Sequence, residues 1–587
     1  MIARTRSLVA PAYALVLALA VTAPLLGPGY LLLRDAVSTP RSYLTDAALG
    51  LTQAAPRALP QDVAVAWASA VLDGGAVVKA LLILGIWLAG WGAARLAAAL
   101  LPDAGLPGQC VAATIAIWNP YVAERLLQGH WSLLVGYGAL PWVAGSVLAL
   151  RSAPKLYSTR EKDEFPRVEC NVGGIGAALF WLALAGLTPT GLMLAATVAL
   201  ACAVAPGPGR SRLFCAAVSL AAATTAALPW LVASAVADGW SSGADQGPAV
   251  SAFAARAEPG LGTLGSLAGL GGIWNADAVP ASRTGLFAVV ATVVLLAVVA
   301  IGVPVLIRRR AGVPLLVLAV AAVAVPALMA TGPGLAAVEA VIEAVPGLGV
   351  VRDGQKWVAL AMPGYALAGA AAVVTLRPRV PVVATAAVCC AAVIATLPDL
   401  VWGVGGKVRP GQYPPAWREA AAVIDTDPAP VAVLPVDSMR RFAWAGPAPV
   451  LDPLPRWLRA EVLATGDLSI GGRTVPGEGV HAREVQAMLL AGADRDQLAA
   501  AGVGWVVVEG SGANLALPVA FRDSELTVYR VGGDSPSSPH RGVVLAAHGV
   551  WLAQLVVGLG AMALRRFRSR GADGRHEQVE GPERGDE

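Results

Sequence analysis

Long apolar runs separated by short polar segments repeat along most of the 587-residue chain. Most runs approach or exceed the roughly 20 residues that a helix needs to cross a bilayer. Basic clusters such as Arg308–Arg310 flank alternate runs, and these clusters mark the cytoplasmic side of a membrane protein. The pattern predicts about twelve helices that cross the cytoplasmic (inner) membrane, with both termini in the cytoplasm. The predicted spans are 8–33, 76–100, 109–127, 131–150, 172–187, 190–206, 213–236, 284–307, 313–331, 357–376, 381–397 and 542–564.

Composition supports a multi-pass membrane protein and excludes an ordinary soluble one. Hydrophobic residues make up 56% of the chain and charged residues only 14%, whereas a soluble protein carries about 25% charged residues. The net charge of +4 gives no reason to expect a nucleic-acid partner. Neither a metal-ligand spacing of His and Cys nor a glycine-rich phosphate loop is present, and the six cysteines lie outside the long polar stretch 401–540.

That polar stretch is long enough to form a domain of its own. Strand-like runs at 431–436, 504–510 and 526–531 alternate with helical patterns, which favours a small α/β domain. The topology predicts that this domain is extracytoplasmic and precedes the last helix. The predicted organisation is a helical membrane domain at 1–400 with outer loops 34–75, 237–283 and 332–356, the α/β domain at 401–540, the last helix at 541–564, and a disordered cytoplasmic tail at 565–587, of which 571–587 is acidic.

Charged residues interrupt the apolar pattern at 118–131, WNPYVAERLLQGHW. Charges near membrane depth are costly, so they mark either a functional site or a structural ion pair. Adjacent helical residues point about 100° apart, so Glu124 and Arg125 are not expected to face one ligand. We expect Arg125 to face a cavity as a phosphate clamp and Glu124 to form a structural pair elsewhere.

The predicted topology collects the informative polar residues on the outer face. Asp35 directly follows the first span, where it can act as a general base or simply end the helix. His130 is predicted to help bind the phosphate, as a hydrogen-bond partner or a proton donor, and the alternative is a packed interfacial residue. Arg352 and Lys356 can neutralise a phosphate or anchor a span boundary. Supporting roles are predicted for Arg34, Asn119, Glu124 and Asp353, and Trp444 and Trp457 are either sugar-stacking platforms or core residues.

Several short segments resemble the GT-C superfamily of polytopic glycosyltransferases, and in particular its actinobacterial arabinofuranosyltransferase and mannosyltransferase branch. The matching segments are NPYVxxRLxxGHW within 119–131, Arg34-Asp35, VRDGQKW at 351–357, LPVDSMRRFAWAG at 434–446, LDPLPRW at 451–457 and GVGWVVVEG at 502–510. The resemblance implies an inverting transferase that moves a sugar from a polyprenyl-phosphate donor to a cell-envelope glycan or glycolipid.

One position departs from the superfamily's pattern. Many of its members carry paired acids in the first outer loop, whereas Asp35 is followed by Ala36. This favours a single-base mechanism without a cofactor, and use of a divalent metal stays open.

Two other functions fit the same sequence. A flippase or transporter for a lipid-linked saccharide usually shows internal repeats, and no clear repeat relates 1–200 to 280–400. A non-catalytic envelope protein whose soluble domain binds glycan is not excluded by any residue.

Overall fold

The computed structural model describes residues 2–53, 58–152, 172–236, 247–345, 348–436, 438–470, 473–475, 477–510 and 514–576. Most of them are helical. The helices are α1 Ile2–Thr22, α2 Gln61–Ala68, α3 Gly74–Leu100, α4 Gly105–Ile117, α5 Pro120–Gln128, α6 Trp131–Ser152, α7 Val172–Ala185, α8 Pro189–Ala203, α9 Arg212–Val236, α10 Gly247–Ala252, α11 Gly262–Ala268, α12 Phe287–Arg308, α13 Val313–Met329, α14 Gly332–Ala344, α15 Met362–Leu376, α16 Val382–Ala395, the left-handed turn α17 Val401–Gly406, α18 Pro415–Ile424, α19 Leu454–Trp457, α20 Val480–Leu490, α21 Arg495–Ala500 and α22 Arg541–His576.

Short strands form the remaining regular structure. They are β1 Tyr30–Leu33, β2 Ala36–Val37, β3 Pro410–Gly411, β4 Val431–Leu434, β5 Met439–Arg440, β6 Val450–Leu451, β7 Val462–Leu463, β8 Leu468–Ile470, β9 Arg473–Val475, β10 Trp505–Glu509, β11 Val519–Arg522 and β12 Leu526–Arg530. The largest sheet has the order β11-β12-β10-β4-β7.

Seven helices of the described residues are long and apolar enough to cross a membrane, and each of two bent pairs adds one more if it counts as a single span. In the first pair, α13 and α14 meet at 92°. The remaining three predicted spans correspond to the pair α4 and α5, to α7, and to α8. Each of these four helices is shorter than the seven long ones. A multi-pass membrane protein therefore agrees with the structure, and the count of twelve remains a prediction.

The structure corrects three predicted boundaries. The first span does not extend to Leu33, because Tyr30–Leu33 is a β-strand. The predicted span 109–127 is broken, because α4 ends at Ile117 and α5 begins at Pro120. The predicted disordered tail is wrong for 565–576, where α22 continues to His576, and 577–587 lie outside the described residues.

Small residues allow the central helices to pack closely. Gly85 on α3 lies against the backbone of Val135 on α6, where an added Cβ would lie 2.8 Å from the Cα atom. Gly138 on α6 faces the carbonyl oxygen of Gly85 with no room for a side chain. Close backbone contact at small residues is a main source of helix association in lipid, so this contact is expected to hold the centre of the helical part together.

The largest sheet has apolar side chains on both of its faces. β4 pairs in parallel with β7 and β10, and β10 pairs antiparallel with β12. Trp417 and Ile424 of α18 pack on one face, while Val485 and Leu489 of α20 pack on the other. We call residues 410–536 the sheet domain.

The sheet domain is joined to the helical part through the segment after α1. β1 pairs with β3 on one side and β2 on the other. Tyr413, Trp417, Phe442, Trp444 and Trp457 form one cluster of ring contacts, with centroids 4.5–6.1 Å apart. Trp457 therefore belongs to the core and Trp444 packs against it partly buried, which favours the interpretation that both are packing residues.

Because a side chain at position 138 has no space, Gly138→Ala is expected to destabilise the helical part by about 1–3 kcal/mol, the usual cost of overpacking. Gly145→Ala on the same helix is the matched control, since an added Cβ there meets no described atom within 4 Å. Thermal unfolding of the purified proteins in detergent measures both. Equal melting temperatures for the two variants would contradict the close α3–α6 contact.

Candidate functional site

A cavity of about 1410 Å³ lies between the helical part and the sheet domain. Its walls include Asp35, His130, Arg352, Asp353 and Lys356, which come from three separate stretches of the chain. Arg34, Gln128, Trp274, Asn275 and Asp277 also line it. Most of the predicted site residues therefore meet at one cavity.

Asp35 is presented by a constrained turn between β1 and β2. Arg34 has φ of +49°, a left-handed conformation that is costly for a residue with a side chain. Its amide donates to the carbonyl of Pro449 at 2.8 Å, and its own carbonyl accepts from Leu451 at 2.9 Å. Its guanidinium donates to the carbonyls of Leu127 at 2.5 Å and Asp277 at 2.8 Å. These bonds hold the turn, so Arg34 positions Asp35.

The sequence of α5 explains how His130 reaches Asp35. The Asn119 side chain accepts from the amide of Val122 at 3.1 Å and caps the helix, and Pro120 occupies the first helical position, where no amide proton is needed. Gly129 ends the helix with φ of +84°. A Cβ there would collide with Leu33 and Ala36, so only glycine brings the end of α5 against the turn.

Asp35 receives two hydrogen bonds on the same oxygen. The Oδ2 atom lies 2.9 Å from Nε2 of His130 and accepts from the Gln128 amide at 3.0 Å. No hydrogen bond to Oδ1 is found among the described residues, and 40% of the Asp35 side chain is exposed. The carboxylate is therefore oriented by one oxygen and presents the other to the cavity.

Arg125 determines which nitrogen of His130 carries the proton. Its Nη1 atom lies 3.1 Å from Nδ1 of His130. A guanidinium is always a donor, so Nδ1 must accept, and the neutral imidazole then carries its proton on Nε2. That proton is donated to Asp35.

The prediction that Arg125 faces the cavity as a phosphate clamp is wrong. Arg125 is fully buried and donates to both carboxylate oxygens of Asp353, at 3.0 and 3.2 Å. Gln355 bridges the two charges of α5, since it accepts from Arg125 and donates to Glu124 at 3.0 Å. Glu124 and Arg125 thus contact the same protein side chain, and the expectation that they do not face one ligand stays a prediction.

Two other predicted site residues are structural. Glu124 is buried and accepts from the backbone amides of Gly272 and Ile273, both at 3.1 Å, which fixes the loop before α12. This is the structural pairing expected of Glu124, although its partners are amides. Asn119 is buried as the α5 cap and donates to the hydroxyl of Tyr137 at 3.0 Å.

The two predicted phosphate-binding cations of the 351–357 segment reach the cavity. Lys356 Nζ lies 3.6 Å from the Asp353 carboxylate, and about a fifth of its side chain is exposed. The Arg352 guanidinium lies 4.3 Å from the centre of the Phe253 ring. Arg125 and Lys356 both contact Asp353, so two cationic side chains face one carboxylate at this wall.

The protonation of the Asp35–His130 pair follows from its surroundings. Burial alone would raise the pKa of Asp35, but the hydrogen bonds from His130 and Gln128 outweigh it and hold that pKa below its usual range. Burial lowers the pKa of His130, and the positive charges of Arg125 and Lys356 act in the same direction. The pair is therefore a carboxylate and a neutral imidazole at neutral pH.

Asp353 stays ionised behind this pair. Burial would raise its pKa, but the charges of Arg125 and Lys356 lower it to about 2. Within the described ranges, no group of three or more His, Cys, Asp or Glu side chains is placed to hold a metal ion. The metal-independent mechanism remains a prediction.

Sequence reasoning did not assign roles to several residues at the cavity. Gln355, buried behind the cavity, is one polar residue of VRDGQKW in the sequence, and its bridging role depends on a contact between segments far apart in the chain. Arg440, Asp452 and Arg456 line the cavity from the sheet domain. The sequence signal for these three residues is the group of charged positions in LPVDSMRRF and LDPLPRW, two of the segments that carry the family resemblance.

Comparison with known proteins gives this chain no relative: no family model, no curated protein and no solved structure matches it.

Removal of Arg125 leaves the buried Asp353 carboxylate without its main partner. Arg125→Met is therefore expected to destabilise the protein by about 3–5 kcal/mol. Asp353→Asn in the same background should recover part of the loss, because the unpaired charge is then absent. Arg309→Met serves as the control, since Arg309 forms an exposed pair with Asp103. Unfolding in detergent measures all four proteins, and a loss below 1 kcal/mol for Arg125→Met would contradict the buried pair.

The pKa of His130 is expected to lie below its usual value of about 6.5. Because the Asp35 carboxylate raises this pKa, Asp35→Asn should lower it further. Hydrogen–deuterium exchange at the imidazole C–H, followed by mass spectrometry across pH, reports the midpoint for His130. A higher midpoint in the variant would show that the carboxylate does not act on the ring as described.

Proposed function

We propose that the protein is a membrane glycosyltransferase that transfers a sugar from a polyprenyl-phosphate donor to an acceptor hydroxyl, without a resident cofactor. The observation that carries the proposal is the meeting of an oriented carboxylate, two cations and an apolar wall at one cavity. The acceptor is a glycan or glycolipid of the cell envelope, and the reaction takes place at the outer face of the cytoplasmic membrane.

Asp35 is the proposed general base. Its Oδ1 takes the proton of an acceptor hydroxyl while the hydroxyl oxygen attacks the anomeric carbon of the donor. The bond from that carbon to the phosphate oxygen breaks, and the polyprenyl phosphate leaves with the electron pair. Attack opposite to the leaving group inverts the anomeric configuration. His130 and Gln128 keep Oδ2 occupied, so that Oδ1 is the oxygen available to the substrate.

Arg352 and Lys356 are the proposed phosphate-binding residues. Negative charge builds on the phosphate oxygens as the sugar leaves, and nearby fixed cations stabilise it. Arg125 contributes through its hydrogen bonds to Asp353 and His130, and it does not touch the ligand.

One wall of the cavity fits a lipid chain. Met193 of α8, Leu231 of α9 and Ile342 of α14 line it together with Val345 and Leu348. α13 and α14 are bent sharply against each other, and a bent helix pair of this kind is found at a broken span or a re-entrant loop. The apolar wall supports a donor whose phosphate lies at the cations and whose prenyl chain lies between these helices.

Asp35→Asn is expected to lower sugar transfer by about 10²–10⁴-fold, because the amide cannot accept the hydroxyl proton. The assay uses purified protein in lipid with polyprenyl-phosphate arabinose or mannose as the donor and a synthetic oligosaccharide as the acceptor. Asp103→Asn is the control, since Asp103 lies in an exposed ion pair and does not line the cavity.

Transfer retained by Asp35→Asn would remove Asp35 as the base. Movement of a labelled lipid-linked saccharide across liposomes, with no transfer in either protein, would support the flippase instead.

A further inference from the structure

The cavity has a second half, on the side of the sheet domain, that the proposed donor does not use. Its walls are the residues that follow two parallel strands and the segment that faces them. Val436 and Ser438 follow β4, and Ala464, Thr465 and Gly466 follow β7. Ser42, Tyr43, Gln53, Gln61 and Asp62 of the segment after β2 line the opposite side.

This placement is the usual one for a ligand site in a parallel sheet. β4, β7 and β10 run in parallel, so their carboxyl ends share one edge. Ligands of such sheets bind outside the carboxyl ends of the strands. Glu509, the last residue of β10, lies at the same edge and forms an ion pair with Arg440. The edge therefore faces a cavity and carries polar side chains.

Two groups of charged residues in this half are neutralised by ion pairing, and Arg441 and Glu478, one cation and one acid, line it as well. Arg456 makes a double contact with Asp62, through distances of 3.2 and 3.4 Å, and both side chains are about one-fifth exposed. Arg440 pairs with Glu509 and, at 3.5 Å, with Asp452. Burial and the Asp452 carboxylate raise the pKa of Glu509 well above its usual range, so this cluster retains a proton and carries no net charge.

Arg440 has a donor left over. Its side chain is 5% exposed and lines the cavity, and within the described residues its Nη1 atom has no hydrogen-bond partner. A buried guanidinium nitrogen without a partner is costly, and an oxygen of a ligand or a water molecule would satisfy it. This observation, independent of the strand arrangement, points to an occupant that offers a hydrogen-bond acceptor.

We infer that the sheet-domain half of the cavity is a binding subsite for a neutral, polyhydroxylated ligand, namely the oligosaccharide chain of the acceptor. Paired acids and bases, amides and hydroxyls offer donors and acceptors to sugar hydroxyls without attracting a net charge. An anionic chain would have to disrupt the Arg456–Asp62 pair.

The inference rests on the proposed function, because it places the acceptor beside the proposed base. The backbone of Arg34 is bonded to Pro449 and Leu451, so Asp35 and Asp452 each adjoin the same backbone contact. An acceptor chain that lies along the sheet edge therefore has its terminal hydroxyl close to Asp35.

The test is binding of short neutral arabinan, mannan and glucan oligosaccharides to the full-length protein in nanodiscs, by saturation-transfer NMR and calorimetry. Arg456→Met should raise the dissociation constant of the oligosaccharide by about tenfold or more, because it removes a charged hydrogen bond, which contributes about 1.5–3 kcal/mol. Ser438→Phe, which fills the subsite and leaves the Arg456–Asp62 pair intact, should also prevent binding. Arg309→Met is the matched control, as an Arg–Asp pair away from the cavity.

Asp35→Asn separates this inference from the proposed function, because it should keep oligosaccharide binding while transfer is lost. Failure of all the neutral oligosaccharides to bind, or unchanged binding in both Arg456→Met and Ser438→Phe, would overturn the subsite. Preferential binding of an acidic oligosaccharide such as an oligogalacturonide, lost in the same two variants, would overturn its neutral character.

Discussion

The buried ion pair between Arg125 and Asp353 is the contact on which the cavity depends. It joins α5 to the segment before α15, and Gln355 extends it to Glu124, which in turn holds the loop at Gly272 and Ile273. A charge pair this deep is tolerated only when its remaining donors and acceptors are also occupied. Here most of them are, through His130 and Gln355. The pair therefore fixes both the position of the cations and the tautomer of the imidazole that touches Asp35.

The cavity lies at the contact between two kinds of structure. Helices packed through small residues supply the apolar wall and the cations, while the sheet domain supplies paired charges and hydroxyls. Asp35 lies between them, on a turn that is bonded to both α5 and residues 449–451. This arrangement separates the environment suited to a lipid phosphate from that suited to a sugar chain, with the proposed base at the boundary.

Much of the fold could be predicted from local pattern, because hydrophobic periodicity and turn residues are local signals. The runs around 431–436, 504–510 and 526–531 contain β4, β10 and β12, and α3, α6 and α9 lie close to their predicted positions. The break between α4 and α5 has a local signal in Asn119-Pro120, but the choice between a kink and two helices depends on tertiary packing.

The site was less predictable because its contacts join residues far apart in sequence. Asp35, His130, Arg352 and Lys356 do meet, yet the sequence contains no indication that Arg125 points away from the cavity toward Asp353. Successive side chains on a helix point about 100° apart. Which of them faces the cavity therefore depends on how the helix packs against its neighbours. For the same reason the wall formed by Arg440, Asp452 and Arg456 could not be assigned before the sheet domain was placed against the turn at Arg34.

The backbone bonds of Arg34 to Pro449 and Leu451 also have a consequence for how the protein is made. The N-terminal turn that carries Asp35 is synthesised first, whereas its partners emerge from the ribosome only after most of the helices. Until then the left-handed conformation of Arg34 lacks its two backbone bonds to Pro449 and Leu451 and is held only by its bonds to residues made earlier, such as Leu127 and Asp277. The Asp35 geometry is therefore completed late in biosynthesis, and a nascent chain that ends before residue 449 can insert its helices without assembling the site.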